Sequence, residues 1–272
     1  ANHYQGQSGP QDPRYKTKGQ INVAITVKQL PDSTAVAKTA ASDFVAWATE
    51  CLLKRAQLHV SITGGTVGIL TLGEISHTPG VENLDWSRIH IWWGDERFVT
   101  SDSADRNAVQ AREALLAKIS IPEENIHEFP SYVPGSGEID AQLETAAKAF
   151  DAEVSRYVNP ATGHLPFDLT FLGMGPDGHI ASLFPGHQVP ATGTRVMAEH
   201  DSPKPPPQRL SFSYEAINHS DLVWFVVAGV DKADAVEVAF SKEPEALPVG
   251  RVQGQSSTVW YLDTAAASLL NK

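Results

Sequence analysis

A carboxylate and an imidazole two residues apart, Asp177 and His179, sit in a glycine-broken run, Gly173-x-Gly175-x-x-Gly178, directly after the apolar stretch 167–172. An imidazole titrates near neutrality, as a general base must, and a nearby carboxylate can orient it. A histidine in such a turn can equally do no more than cap backbone groups, and the local sequence leaves both open. Two further polar clusters carry glycine. Thr63-Gly64-Gly65-Thr66 follows the strand pattern 58–62 and leads into a helical pattern. Free N–H groups at a helix start suit a phosphate, although a plain strand-to-helix turn would read the same. Gly94-Asp95-Glu96-Arg97 follows the aromatic stretch 89–93. An arginine there can grip a phosphate or stabilise an oxyanion; a solvated ion-pair turn is the bland alternative.

The elements that must position these groups alternate between two periodicities. Strand patterns fall at 21–27, 58–62, 89–93, 167–172, 194–199, 210–213, 222–228 and 258–262. Helical patterns fall between them, at 33–51, up to residue 75, at 104–119, 139–158, 231–240 (capped by Asp231) and 264–270. A short helix is also expected to begin at Asp177–His179. Alternating strands and helices imply a Rossmann-like, doubly wound α/β fold, a mostly parallel sheet with helices on both faces. In such a sheet the three polar loops lie beyond carboxyl ends of strands, on one edge, where ligands bind. A dinucleotide reading of the glycine triplet is rejected. Pro185-Gly186 leaves room for only about six helical residues after Gly178, too short for a crossover helix.

Composition narrows the partners. The formal charge of −11 argues against nucleic acid and against an anionic membrane surface. It leaves open a small anion held by a few placed cations. The sole cysteine, Cys51, lies in a helical pattern, forms no intramolecular disulfide and suits a reducing cytoplasm. The longest apolar run, 223–230, is too short to span a bilayer, and no secretory leader is read at the start. The ten histidines show no HExxH or CxxC companion, so no metal site is expected. Residues 1–20 read as a polar tail and 21–272 as one catalytic domain.

The set TGGT, GDER, GMGPDGHIASLFPG, SPKPPPQR (202–209) and VWFVVAGVDKADA (223–235) resembles the 6-phosphogluconolactonase family, in the glucosamine-6-phosphate isomerase superfamily, in order and over nearly the whole chain. The family's phosphate loop usually reads SGGSTP; here Thr63 to Gly68 lacks the proline and one hydroxyl. The resemblance implies the fold of glucosamine-6-phosphate deaminase and hydrolysis of 6-phospho-D-glucono-1,5-lactone in the oxidative pentose phosphate pathway. It implies His179 as the base that activates water, Asp177 as its orienting partner, and Arg97 on either the oxyanion or the phosphate. Thr63, Gly64, Gly65, Thr66, Asp95, Lys204 and Arg209 are then the expected substrate and phosphate contacts. The chemistry calls for no metal or organic cofactor. The expected partner is one small sugar phosphate, met by a monomer or weak homo-oligomer. Two rivals are weighed. A deaminase carries a glutamate in the block resembling DGHIAFNEP, where this chain has Ser182-Leu183-Phe184-Pro185. A non-catalytic sugar-phosphate sensor would need a DNA-binding segment, for which residues 1–20 are too short.

Overall fold

In the computed structural model, residues 23–270 are described. The tail expected over 1–20, the first two residues of the expected strand, Ile21 and Asn22, and the last two residues lie outside them. Six strands, β1 (Ala24–Leu30), β2 (Leu58–Ile62), β3 (Ile89–Trp93), β5 (Leu169–Leu172), β8 (Leu222–Val227) and β9 (Ser257–Asp263), form one sheet in the order β1-β9-β8-β5-β2-β3. Every pairing in it is parallel. β2, β3 and β5 are buried along their whole length, the signature of a sheet covered on both faces. β1, at the edge, is largely exposed.

The helices cover the sheet for reasons visible in their residues. Asp32 caps α1 (Ser33–Leu52), its carboxylate accepting from the Ala35 amide at 2.8 Å. Val36, Ala40, Phe44 and Ala48 recur on its buried face, and the small alanines let the helix approach the sheet closely. Phe44 meets Phe171 of β5 at a ring separation of 5.9 Å. α2 (Gly65–Ile75) follows β2 and α3 (Asn107–Ala114) follows the charged cluster. α4 (Ile139–Val154) lies on the other face, where Phe150 contacts Trp92 of β3 and Phe129. α5 (Tyr214–Ile217) and α6 (Ala233–Ala239) are short.

A second, antiparallel sheet was not foreseen. It comprises β4 (Asp95–Arg97), β7 (Arg209–Phe212) and β6 (Val196–Glu199), in the order β4-β7-β6. Asp95–Arg97 of the Gly94-Asp95-Glu96-Arg97 segment is therefore a strand, where a loop was expected. Its ladder partner lies more than a hundred residues downstream, beyond any local signal. Gly94 joins the two sheets: its amide donates to Ile62 O and its carbonyl accepts from Phe212 N, each at 2.9 Å.

Other boundaries also shift. No helix starts at Asp177–His179; the chain runs through turns from Gly173 to Gly186. The pattern at 104–119 yields α3 and a separate 3-10 turn at Leu116–Lys118. Asp231 does not cap α6: it lies in a 3-10 turn, Val230–Lys232, and pairs with Lys232 at 2.5 Å. Residues 264–270 form turns, tied down by Asp263, which accepts from the amide of Ala266 at 2.7 Å. Among the described residues, no helix is long and apolar enough to cross a membrane.

One buried cluster lies far from the strand-end loops in its chemistry. His59 of β2 stacks on His90 of β3, and His90 Nδ1 meets His127 Nε2 at 2.9 Å. Trp92 Nε1 donates to His59 Nδ1, His127 Nδ1 faces Glu153, and Tyr157 packs edge-on. Burial and, secondarily, the neighbouring imidazoles hold His59 at about 3 and His90 at about 4. Both rings thus stay neutral in the folded chain well below the ordinary 6.5 at which they protonate when unfolded. Their contribution is complete above about 6.5 and is lost as pH falls toward 4. Replacing His59 by Asn should make the pH dependence of urea-unfolding stability shallower by about 1 kcal/mol per pH unit between about pH 6 and 4. An unchanged slope would show that His59 does not resist protonation.

Candidate active site

Strand order creates the site. The chain leaves β2 outward toward β3 and returns to β5 on the other side of β2, so the segments after β2 and β5 diverge. Such a switch point opens a crevice at the carboxyl ends of the strands. Gly173 N donates to Thr63 Oγ1 at 3.3 Å and ties the floor of the crevice together. The cleft above has a volume of about 680 Å³.

His179 lines this cleft. Its Nδ1 meets Asp177 Oδ1 at 2.5 Å, and the turn is closed by Gly178 N on Gly175 O and by Gly175 N on His179 O. Gly178, at φ +76°, supplies the left-handed corner that a side chain resists. Burial lowers the His179 pKa, and the opposing pull of Asp177 does not restore it to 6.5. Burial pushes Asp177 upward, but its contacts with His179 outweigh that and leave it below the ordinary value. The dyad is a neutral imidazole donating Nδ1–H to an ionised carboxylate, which leaves Nε2 to accept a proton.

The expected residues converge. Thr63, Gly64, Gly65 and Thr66 line the cleft, as do Asp95, Arg97, Lys204 and Arg209; Asp177 stands behind His179. Gly64 precedes α2 without any side-chain cap, so the amides of its first turn remain available to an anion. Arg97 Nη1 donates to Asp105 O at 2.8 Å, while its buried Nε has no partner. Arg209 pairs with Arg97 across the β4–β7 ladder and holds the proline-rich segment through Pro206 O, Lys204 O and Pro205 O. Burial lowers its pKa, Asp95 raises it and Arg97 lowers it again. Lys204 is exposed at the rim, and its charge also disfavours protonation of His179.

Glu96, in the midst of the charged cluster, turns away from the cleft. It is 1% exposed and accepts from the amides of Arg97, Asn107 and Ala108 at 2.8–2.9 Å, clamping the start of α3. Burial raises its pKa to about 7 against Arg106 and those amides.

Lys232 and Asn107 are among the lining residues that escaped the sequence reading. Lys232 reaches the cleft from the turn after β8, a fourth strand end where Asp231 reads as the start of a helix rather than as part of a glycine-bearing polar cluster of the kind found after β2, β3 and β5. Asn107 is brought in by Glu96 and by its own Nδ2, which donates to Asp95 O at 3.0 Å; nothing local announces it.

A base, an unpartnered guanidinium edge and an uncapped helix start in one crevice define an α/β protein equipped to bind a small anionic molecule beside a proton acceptor. The chain belongs to the glucosamine-6-phosphate isomerases/6-phosphogluconolactonase family, whose model matches residues 31–260. It is 38% identical to the 6-phosphogluconolactonase of Mycobacterium leprae, over 90% of this chain and 98% of that protein. It is 37% identical to that of Streptomyces coelicolor, over 88% and 92%. The crystal structure of 6-phosphogluconolactonase from Thermotoga maritima superposes with a TM-score of 0.74 at 25% identity, covering 88% of this chain and 99% of that one. A monomeric glucosamine-6-phosphate deaminase shares the fold, with a TM-score of 0.68 at 18% identity over 90% of this chain and 99% of that one.

Gly175 tests the dyad directly. A Cβ there would lie 2.0 Å from His179 Nδ1 and 2.5 Å from Asp177 Oδ1, so Gly175→Ala must displace the pair. Lactone turnover by that variant should fall at least about tenfold, consistent with a misplaced general base, while its far-ultraviolet circular dichroism stays native. Unaltered turnover would mean that this geometry is not the working one.

Proposed function

We propose that the protein hydrolyses 6-phospho-D-glucono-1,5-lactone to 6-phosphogluconate, the step of the oxidative pentose phosphate pathway that opens the lactone. The His179–Asp177 dyad inside the switch-point cleft carries this reading. A δ-lactone is an activated ester, so a water deprotonated in place suffices. His179 Nε2 takes a proton from water as the oxygen attacks C1. Arg97 faces the oxyanion that develops on the former carbonyl oxygen. Collapse breaks the bond between C1 and the ring oxygen, and the imidazolium returns its proton to that oxygen, leaving a hydroxyl and a carboxylic acid that ionises.

The uncapped start of α2 and Lys232 hold the phosphate, with Lys204 at the rim. Cations in the cleft of a chain with net charge −11 support an anionic substrate. Where a deaminase of the family has a glutamate, this chain has Phe184, a buried ring 4.8 Å from His179, and this favours hydrolysis. The single free cysteine, Cys51, accords with the cytoplasm as the place of action.

A coupled assay on freshly generated lactone, run beside the dephosphorylated lactone and glucosamine 6-phosphate, should show turnover of the phosphorylated lactone above both. Activity on glucosamine 6-phosphate alone would overturn the assignment. His179→Ala should lose roughly two to four orders of magnitude in turnover with an intact fold. The acid limb of kcat/KM should lie below 6.5, because burial lowers the imidazole and activity requires its neutral form. Asp177→Asn removes groups that raise that value, so the limb should move to still lower pH. A limb that stays in place would separate Asp177 from the base.

A further inference from the structure

The chain from His179 to Leu183 serves two walls of the cleft. Among the described residues, Ala181 is the sole non-glycine residue with positive φ, +46°. Left-handed backbone is unfavourable for a residue with a Cβ and persists where its surroundings impose it. Here Ile180 and Leu183 are both buried, and Leu183 N donates to Ile180 O at 2.9 Å. The corner sends His179 to one side and Ser182 to the other.

Ser182 is fully buried, and its Oγ donates to Asp95 Oδ2 at 2.6 Å. Its amide donates to Ser211 Oγ, and Ser211 is the ladder partner of Asp95. Asp95 lines the cleft, and Asn107 holds its backbone carbonyl. We propose that Ser182 is a positioning residue: by occupying Asp95 Oδ2 it fixes the carboxylate so that Oδ1 faces the cleft and accepts a hydrogen bond from a ring hydroxyl of the substrate. The base and the side chain that holds the hydroxyl acceptor then belong to one turn, and Ser182 ties the acceptor on β4 at a fixed distance from His179. This inference rests on the lactonase reading given above.

The test is a double-mutant cycle of Ser182→Ala and Asp95→Ala on the full chain. It reads kcat and KM for the lactone, the pH profile, and calorimetric affinity for 6-phosphogluconate. Ser182→Ala should raise KM and weaken product binding by a common factor of roughly 10–150, the range for a lost hydrogen bond to a charged group. Its kcat and acid limb should stay near wild type, because His179 is undisturbed. In the Asp95→Ala background, adding Ser182→Ala should change neither KM nor product affinity by more than about twofold, as expected of coupled residues. Ser182→Cys keeps the volume but weakens the donor, and it replaces Ser182→Ala in the cycle should the latter fail to fold. An equal loss in both backgrounds, or a shifted acid limb, would overturn the proposal and assign Ser182 to the His179 turn instead. A wild-type protein that neither turns over the lactone nor binds 6-phosphogluconate would overturn the lactonase reading, and this inference with it.

Discussion

The structure depends on one topological constraint, the parallel pairing of β2 with β5 while the chain leaves these strands in opposite directions. Parallel strands need crossovers, and crossovers that part to either side leave the carboxyl ends of the two strands uncovered. Val60 beside Leu169 sets that register, and the hydrogen bond from Gly173 to Thr63 continues it one step past the strands. Every group of the cleft is placed relative to that seam. α2 starts on one side of it, the histidine turn on the other, and β4 rises beyond it.

The second sheet converts an open crevice into a walled one. β4 continues from β3 through Gly94, and its pairing with β7 sets Arg97 against Arg209. Two cations side by side repel unless an anion or a carboxylate is near; here Asp95 lies in the same strand as Arg97. Glu96, between Asp95 and Arg97, is buried away from the cleft and binds the start of α3 through three amides. A buried carboxylate is costly unless its acceptors are filled; those amides fill them, and Arg106, 3.9 Å away, adds an opposite charge without a hydrogen bond. The alternation of a strand thus sends consecutive charged residues to different tasks.

The relatives show how far the fold alone reaches. A deaminase and a lactonase share it with this chain, so the architecture delimits a superfamily without choosing a reaction. The imidazole has a carboxylate behind it and an aromatic ring beside it.

Much was legible beforehand because it is local. The short strand patterns that became β2 and β3, the helical pattern over 33–51 and the glycines around His179 each follow from backbone sterics and burial within a few residues. All the expected site residues lie in or directly behind the cleft; those after β2, β3 and β5 do so because polar, glycine-bearing segments after parallel strands must emerge on one edge, whereas Lys204 and Arg209 are brought in by the second sheet. What the chain order could not reveal was pairing at a distance. That Asp95–Arg97 is a strand, that Glu96 faces α3, that Ser182 reaches Asp95 and that Lys232 and Asn107 enter the cleft are contacts between segments far apart in sequence. The sequence by itself determined which residues could perform the chemistry. The tertiary structure alone decided which of them meet, because those contacts form only when the strands take their places in the two sheets.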